Sequence, residues 1–481
     1  MKIKYYLLFF IIVGIHLFLL VKLRFTAWPE MSLWPYLIIH GFLPYKDIAI
    51  AHTPFMLVFL SIFYKLFGVG IFQLQIFTWI SILVFDVFFF WVVQKLWNRK
   101  IALIALIVFV IWQLFFEGNG LWFDLCMGMW MFASFYFLRI KKWFIAGILF
   151  ALAVFTKQTA VWFLIPIGYT MVGEVVCGIN GINGMNGING INGKWPIVKN
   201  ILRRPLKTWS CKLLDKFVLG SFVIIFPFIL ALTVFGILTN FWDWAINFGI
   251  FVLPKAGGQI QLPDLKNLAF AGIPFVVFIP FLFSRKIRDV NLLLWAFAGT
   301  LGAYPRFEYF HFQPAIPYLA IASSLVFTNI NRKNILTRVF TVFYVLACLY
   351  LLFIFFIRNY DEGVRFYEQD VQDVATYIKE NTQPGEKIFV INWWDSLYAL
   401  TDTLPATDPW MPQLSWYQEI PGVQEKEVTN LSISKPAMII LQPYTESGLS
   451  SYIPQKVYDY VVANYDLKTK IDEIEILVPK K

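Results

Sequence analysis

Charge is scarce in this chain. Only 15% of its 481 residues are Asp, Glu, Lys or Arg, whereas 59% are hydrophobic. That balance excludes an ordinary soluble globular protein. Cysteine is nearly absent. Four occur, at Cys126, Cys177, Cys211 and Cys348, and none lies beyond residue 358. A disulfide framework is thereby excluded, and no zinc-ligand spacing is present. No soluble segment carries a basic face interleaved with aromatics, so nucleic acid is not an expected partner. Proline is missing from the tandem Gly-Ile-Asn and Gly-Met-Asn triplets of Gly178–Gly193, which excludes a collagen strand. Their Asn-Gly steps favour turns, and residues 178–216 read as a cytoplasmic low-complexity linker.

Long apolar runs are what the chain has in abundance. A bilayer-spanning helix needs about 20 apolar residues. Spans are predicted at 5–24, 73–97, 100–116, 120–138, 143–157, 158–176, 217–238, 267–283, 289–304, 311–328 and 336–357. The basic start Met1-Lys-Ile-Lys4 before the first run has no small-residue cleavage site after it, so this run reads as a retained helix that begins inside. A further run, Pro54 to Phe67, would invert every later connector if it crossed. It reads instead as a re-entrant or surface-lying helix in a long external loop, 25–72.

The connectors sort by charge. Lys and Arg cluster at Arg99–Lys100, Arg139–Lys142, Lys194–Lys216, Arg285–Arg288 and Arg332–Arg338. Basic connectors stay in the cytoplasm, which accounts for the net charge of +10. The alternate connectors carry isolated carboxylates among aromatics: Glu30, Asp47, Glu117, Asp124, Asp243 and Glu308. Those carboxylates then face outward, in a multi-pass plasma-membrane protein with an external C-terminus. From residue 358 the composition becomes mixed. Helices at 371–380 and 454–463 and strands at 387–391, 437–441 and 473–478 predict a small extracytoplasmic α/β domain. The fold class expected is a polytopic all-α membrane domain, 1–357, followed by that soluble domain, 358–481.

Three groups of residues could carry chemistry. The first lies in the 25–72 loop: Glu30, Lys46-Asp47 and His52. Desolvation at the lipid boundary makes a carboxylate more basic, which suits Glu30 to general-base work. Lys46 could hold a phosphate. The second is Asp124 at the mouth of the fourth span, with Lys157 between two tightly joined spans. The third is Arg306-Phe-Glu308-Tyr-Phe-His311, where an arginine fork suits phosphate oxygens and His311 offers a donor or acceptor. Each also has a plainer reading: Glu30 as a solvated boundary glutamate, Lys46-Asp47 as a surface ion pair, Lys157 as a cap on its turn, and Arg306–His311 as a helix-entry anchor with an interfacial aromatic belt. Asp86 stands apart in mid-span, where a charge costs about 2.5–3.5 kcal/mol. It therefore needs a partner or a function, and it supports an alternative reading as a transporter or flippase of lipid-linked glycans. A non-catalytic membrane scaffold is a third reading.

These residues resemble the GT-C glycosyltransferases, in particular the branch of protein O-mannosyltransferases and aminoarabinose lipid A transferases. The likeness rests on an acid after the first span followed by Gly41-x-x-Pro44-Tyr45-x-Asp47, His52-x-Pro54 and Lys65-Leu-Phe-Gly68. It continues through Asp124, Ala146-Gly147 and Thr156-Lys157-Gln158, and through Arg306 to His311 and Pro314-x-x-Pro317. The resemblance implies transfer of a sugar from a polyprenyl-phosphate donor to a lipid, glycan or protein acceptor outside the membrane. It implies Glu30 as the base, Asp47 in support, and Lys46, Lys157 or Arg306 on the donor phosphate. The branch usually carries Asp or Asp-Glu where this chain has the single Glu30, which leaves Glu30 and Asp47 both open as the base. Metal use varies in the class, and no ligand cluster for a divalent metal stands out here.

Overall fold

The computed structural model describes residues 2–179, 207–257, 259–282, 287–329, 335–444 and 452–480. Most of the triplet tract and parts of three basic connectors lie outside the described residues. The chain divides into two compact units, each drawn from three separate stretches. One comprises Met1–Arg24, Trp79–Leu230 and Leu262–Glu362; the other comprises Phe25–Thr78, Ala231–Gln261 and Gly363–Lys481.

Helices occupy all eleven predicted stretches. Six described helices are long and apolar enough to cross a membrane, among them Lys4–Lys22, Ile71–Leu96 and Arg338–Asn359. Others are shorter, such as Phe123–Arg139 and Trp143–Thr156. Lipid offers no hydrogen bonds to a backbone, so apolar runs become helices that satisfy their own amides. The leftover run forms the helix Phe55–Phe67 of 13 residues. At 1.5 Å per residue it extends about 20 Å, short of a hydrocarbon core of about 30 Å.

Within the first unit, small residues let helices approach closely. A Cβ placed on Gly147 would lie 2.0 Å from the Phe217 carbonyl oxygen, and one on Gly220 would lie 2.0 Å from that of Phe144. Ser221 Oγ donates to the Gly147 carbonyl at 3.1 Å across the same crossing. Helix association in lipid depends on such backbone proximity. Gly147→Val is therefore expected to cost about 1–3 kcal/mol, read as a lowered melting temperature in detergent. The C-terminal end of the first helix is held by Asn119, whose Nδ2 donates to the carbonyls of Leu20 at 2.9 Å, Leu23 at 2.9 Å and Arg24 at 3.2 Å. Helix ends leave such carbonyls without intrahelical partners.

The second unit is built on a five-stranded sheet. Its order is Leu404–Pro405, Lys387–Ile391, Met438–Leu441, Ile474–Pro479, Tyr465–Ile471. The first three strands run parallel and the last two join antiparallel. The central parallel strands are continuous apolar runs, as burial on both faces requires. The predicted strands and helices are present, and further elements were not foreseen, three of which show why. The edge strand Tyr465–Ile471 exposes Asp466, Lys468 and Lys470, so charge hides its pattern. The strand Leu404–Pro405 has only two residues. Helix Val423–Ser434 buries Val423, Glu427 and Leu431, and the glutamate interrupts its apolar stripe.

The 25–72 loop belongs to this compact unit, although the sequence assigned it to the membrane part. Phe25–Thr26 pairs in parallel with Val364–Arg365. Trp410 donates its N–H to the Asp47 carbonyl at 2.9 Å and accepts from Ala49 N–H at 3.0 Å. Tyr36 Oη donates to the Thr403 carbonyl at 3.0 Å.

Candidate functional site

Glu30 lies in the first turn of the short helix Pro29–Ile39. Pro29 suits that helix start, because its missing N–H and fixed φ cost nothing there. The helix is held from both ends. Tyr64 Oη donates to the Met31 carbonyl at 3.2 Å, and Tyr36 Oη reaches Asp402 and Thr403. Just before it, Trp28 meets Phe366 at 5.2 Å, and Phe366 meets Trp394 at 4.7 Å. The Arg365 guanidinium lies over both Trp28 and Phe366. Half-buried Glu30 is near enough to Asp395 for its charge to act on that carboxyl.

Asp47 is differently placed. Its Oδ2 accepts the Leu43 N–H at 2.8 Å and closes the turn that carries Tyr45 at a φ of 71°. Lys46 is exposed, and no ion pair joins it to Asp47 among the described residues. His52 is half-buried, 6.4 Å from the Trp34 ring.

Two carboxyl groups not singled out from the sequence accompany Glu30. Burial pushes the Asp395 carboxyl well above its usual range, and the negative charges of Glu30 and Glu427 push it further. Buried Glu427 accepts from Gln413 Nε2 and Gln418 Nε2, both at 3.1 Å on Oε1. Burial lifts its carboxyl to about 7, against the lowering effect of those two bonds. Tyr417 is likewise shifted upward, by burial first and then by Glu30. Acids clustered in a dry site favour shared protons over full ionisation. Glu427 thus binds a proton more tightly folded than unfolded. Its contribution to stability is full below the unfolded carboxylate range, near pH 4.5, and declines up to about pH 7. Raising pH across that window is expected to lose roughly 3 kcal/mol at this group. Glu427→Gln should flatten the decline in a pH series of thermal melts; an unchanged slope would contradict this account.

In the first unit, three residues selected separately from the sequence meet. Lys157 Nζ lies 2.5 Å from Asp124 Oδ2 and 3.0 Å from His311 Nδ1, and His311 Nδ1 lies 3.0 Å from the same Asp124 oxygen. All three are buried. Asp124 comes from the first turn of Phe123–Arg139, Lys157 from the extended residue between two helical segments, and His311 from a 3₁₀ turn. Gly302 packs against this cluster, where a Cβ would make an ordinary contact of 3.5 Å with Asp124 Oδ1. Next to it, Gln313 Nε2 donates to the carbonyls of Gln113 and Phe116. Arg306 pairs with Glu308 at 3.5 Å, and both are about one-third exposed.

Asp86 has the partner its depth requires. His16 Nδ1 lies 2.7 Å from Asp86 Oδ2, and His16 Nε2 lies 3.2 Å from Gln113 Oε1. This pairing provides a structural reason for the mid-span acid that the transporter reading relied on. His16→Leu is expected to cost about 3–5 kcal/mol by stranding Asp86, measurable as a large drop in melting temperature. His16→Leu with Asp86→Leu should recover most of it. Among the described residues, no group of three or more His, Cys, Asp or Glu is placed to hold a metal ion.

No family model matches this chain, and no curated protein matches it in sequence. Solved structures do match. ArnT from Cupriavidus metallidurans in the apo state aligns with a TM-score of 0.61 at 12% identity, covering 99% of this chain and 98% of that one. The same protein bound to undecaprenyl phosphate gives 0.58 at 13%, with 98% of each chain covered. The archaeal oligosaccharyltransferase AglB from Archaeoglobus fulgidus, in complex with an inhibitory peptide and a dolichol-phosphate, gives 0.55 at 14%. That alignment covers 91% of this chain and 69% of AglB. At such identities the likeness is one of fold: the chain shares the fold of ArnT and AglB.

Proposed function

We propose that this protein is a membrane glycosyltransferase. It moves a sugar from a polyprenyl-phosphate donor to a lipid, glycan or protein acceptor at the extracytoplasmic face, with inversion at the anomeric carbon. The observation that carries this reading is the end-to-end likeness to ArnT, one structure of which holds undecaprenyl phosphate. In the proposed reaction Glu30 takes the proton from an acceptor O–H or N–H. The acceptor oxygen or nitrogen bonds to the anomeric carbon as the bond from that carbon to the phosphate oxygen breaks. The donor phosphodiester leaves as a polyprenyl phosphate monoester and gains negative charge. Preorganised cations stabilise such developing charge, and Lys46, in the same compact unit as Glu30, is assigned that role. Lys157 is already matched by Asp124 and His311, so it serves the architecture of the site. Asp47, holding the Leu43 amide, shapes the loop. The N-terminus lies in the cytoplasm of a plasma-membrane protein and the C-terminal sheet outside.

Proteoliposomes containing this protein, a panel of polyprenyl-phosphate sugars and envelope acceptors provide the test. Release of polyprenyl phosphate with a glycosylated product is expected for at least one donor. Absence of turnover across the panel, with bound polyprenyl phosphate also undetectable by mass spectrometry, would remove the reading. For topology, a single cysteine at position 46 in a cysteine-free chain should label from outside intact cells, and one at position 142 should not.

A further inference from the structure

A second feature lies at the boundary where the first helix starts and the second long helix ends. An open recess of about 490 Å³ is lined by Tyr5, Gln94, Lys95, Asn98, Arg99 and Lys100. Its three cations arise where Ile71–Leu96 ends and Arg99–Phe115 begins. Arg99 is oriented by its guanidinium lying 5.5 Å from the Tyr6 ring centre. Asn98 caps the following helix by accepting from Ile101 N–H at 3.0 Å, which fixes the tight turn that gathers these charges. Among the described residues none of the three cations pairs with a carboxylate. The other well-described basic connector differs, since Lys141 there lies 2.7 Å from Glu174.

An exposed apolar stripe leads out of the recess. Val84, Val87 and Trp91 are 62%, 51% and 38% exposed, and with Lys95 they follow the three- and four-residue spacing of one helix face. Phe10, 68% exposed, adds to the apolar surface of the neighbouring first helix. Cations that serve only to set orientation need no recess. Here unpaired cations surround a cavity, and an apolar track descends from it into the lipid.

We propose that this recess binds the phosphate headgroup of an anionic phospholipid, whose acyl chain lies along Val84, Val87 and Trp91. The recess holds two Lys and one Arg for a single negative headgroup, and the apolar stripe distinguishes a lipid from a free phosphate. Juxtamembrane cations attract anionic lipid cumulatively. The site is independent of the proposed transfer reaction.

The experiment is native mass spectrometry of the purified full-length protein titrated with phosphatidylglycerol or phosphatidylcholine. Preferential retention of phosphatidylglycerol is expected. Arg99→Gln with Lys100→Gln should weaken that retention about tenfold or more, while Lys141→Gln with Lys142→Gln should leave it intact. Should the first pair fail to fold, Lys95→Gln alone should weaken retention several-fold. Equal loss in both pairs would reduce the effect to general surface charge and overturn the proposal. So would unchanged retention in the Arg99 pair, or displacement of the lipid by millimolar inorganic phosphate.

Discussion

Replacing Glu30 with glutamine is expected to lower sugar transfer by about 10²–10⁴-fold, the contribution of a positioned general base. The substitution conserves shape and removes only the ability to take a proton. The half-buried side chain sits on a helix held by the Tyr36 and Tyr64 hydroxyls, so the fold should survive. Replacement by glutamine also removes one negative charge beside Asp395 and Tyr417, which relieves repulsion. Melting temperature should therefore stay level or rise while kcat falls. Asp47→Asn offers the contrast. It weakens the bond to the Leu43 amide and should lower stability by about 1 kcal/mol with a smaller effect on kcat. If Glu30→Gln transfers at the wild-type rate, Glu30 is not the base. Equal loss of kcat in both variants would leave the choice between them unmade by chemistry and assign it to loop geometry.

Lys157→Met is expected to lower stability by about 3–5 kcal/mol, as much as His16→Leu. The lysine is buried against Asp124 Oδ2 at 2.5 Å, and methionine fills a similar length with no charge. A carboxylate then remains in a dry site with only His311 beside it among the described residues. Breaking a buried pair costs far more than replacing both partners. The double variant Lys157→Met with Asp124→Leu should accordingly recover most of the loss, a coupling that a double-mutant cycle measures directly. Thermal melts in detergent read it. Wild-type stability in the single variant would show that the cluster is wet and screened, contrary to its burial.

The functional groups were legible in the sequence one at a time. Asp124, Lys157 and His311 each stood out because polar residues at the ends of apolar runs are rare and expensive. Nothing local joined them, since 33, 154 and 187 residues separate the three pairs. Asp86 was visible as an anomaly, whereas His16, 70 residues earlier, read as one polar residue in an apolar helix. Glu427 was hidden for a different reason. It occupies the middle of a buried stripe between Val423 and Leu431, where an acid looks like the end of an amphipathic pattern. Asp395 follows two tryptophans at the end of a strand, and only the fold sets it near Glu30.

Apolar run length and the distribution of charge among connectors were enough to place eleven helices and a small α/β domain. Those properties act locally, because each backbone segment in lipid must satisfy its own hydrogen bonds. Which carboxylate acquires a lysine, which a histidine and which other acids was settled by tertiary packing. The cost of a buried charge depends on neighbours contributed by distant segments, and no local pattern encodes their distance.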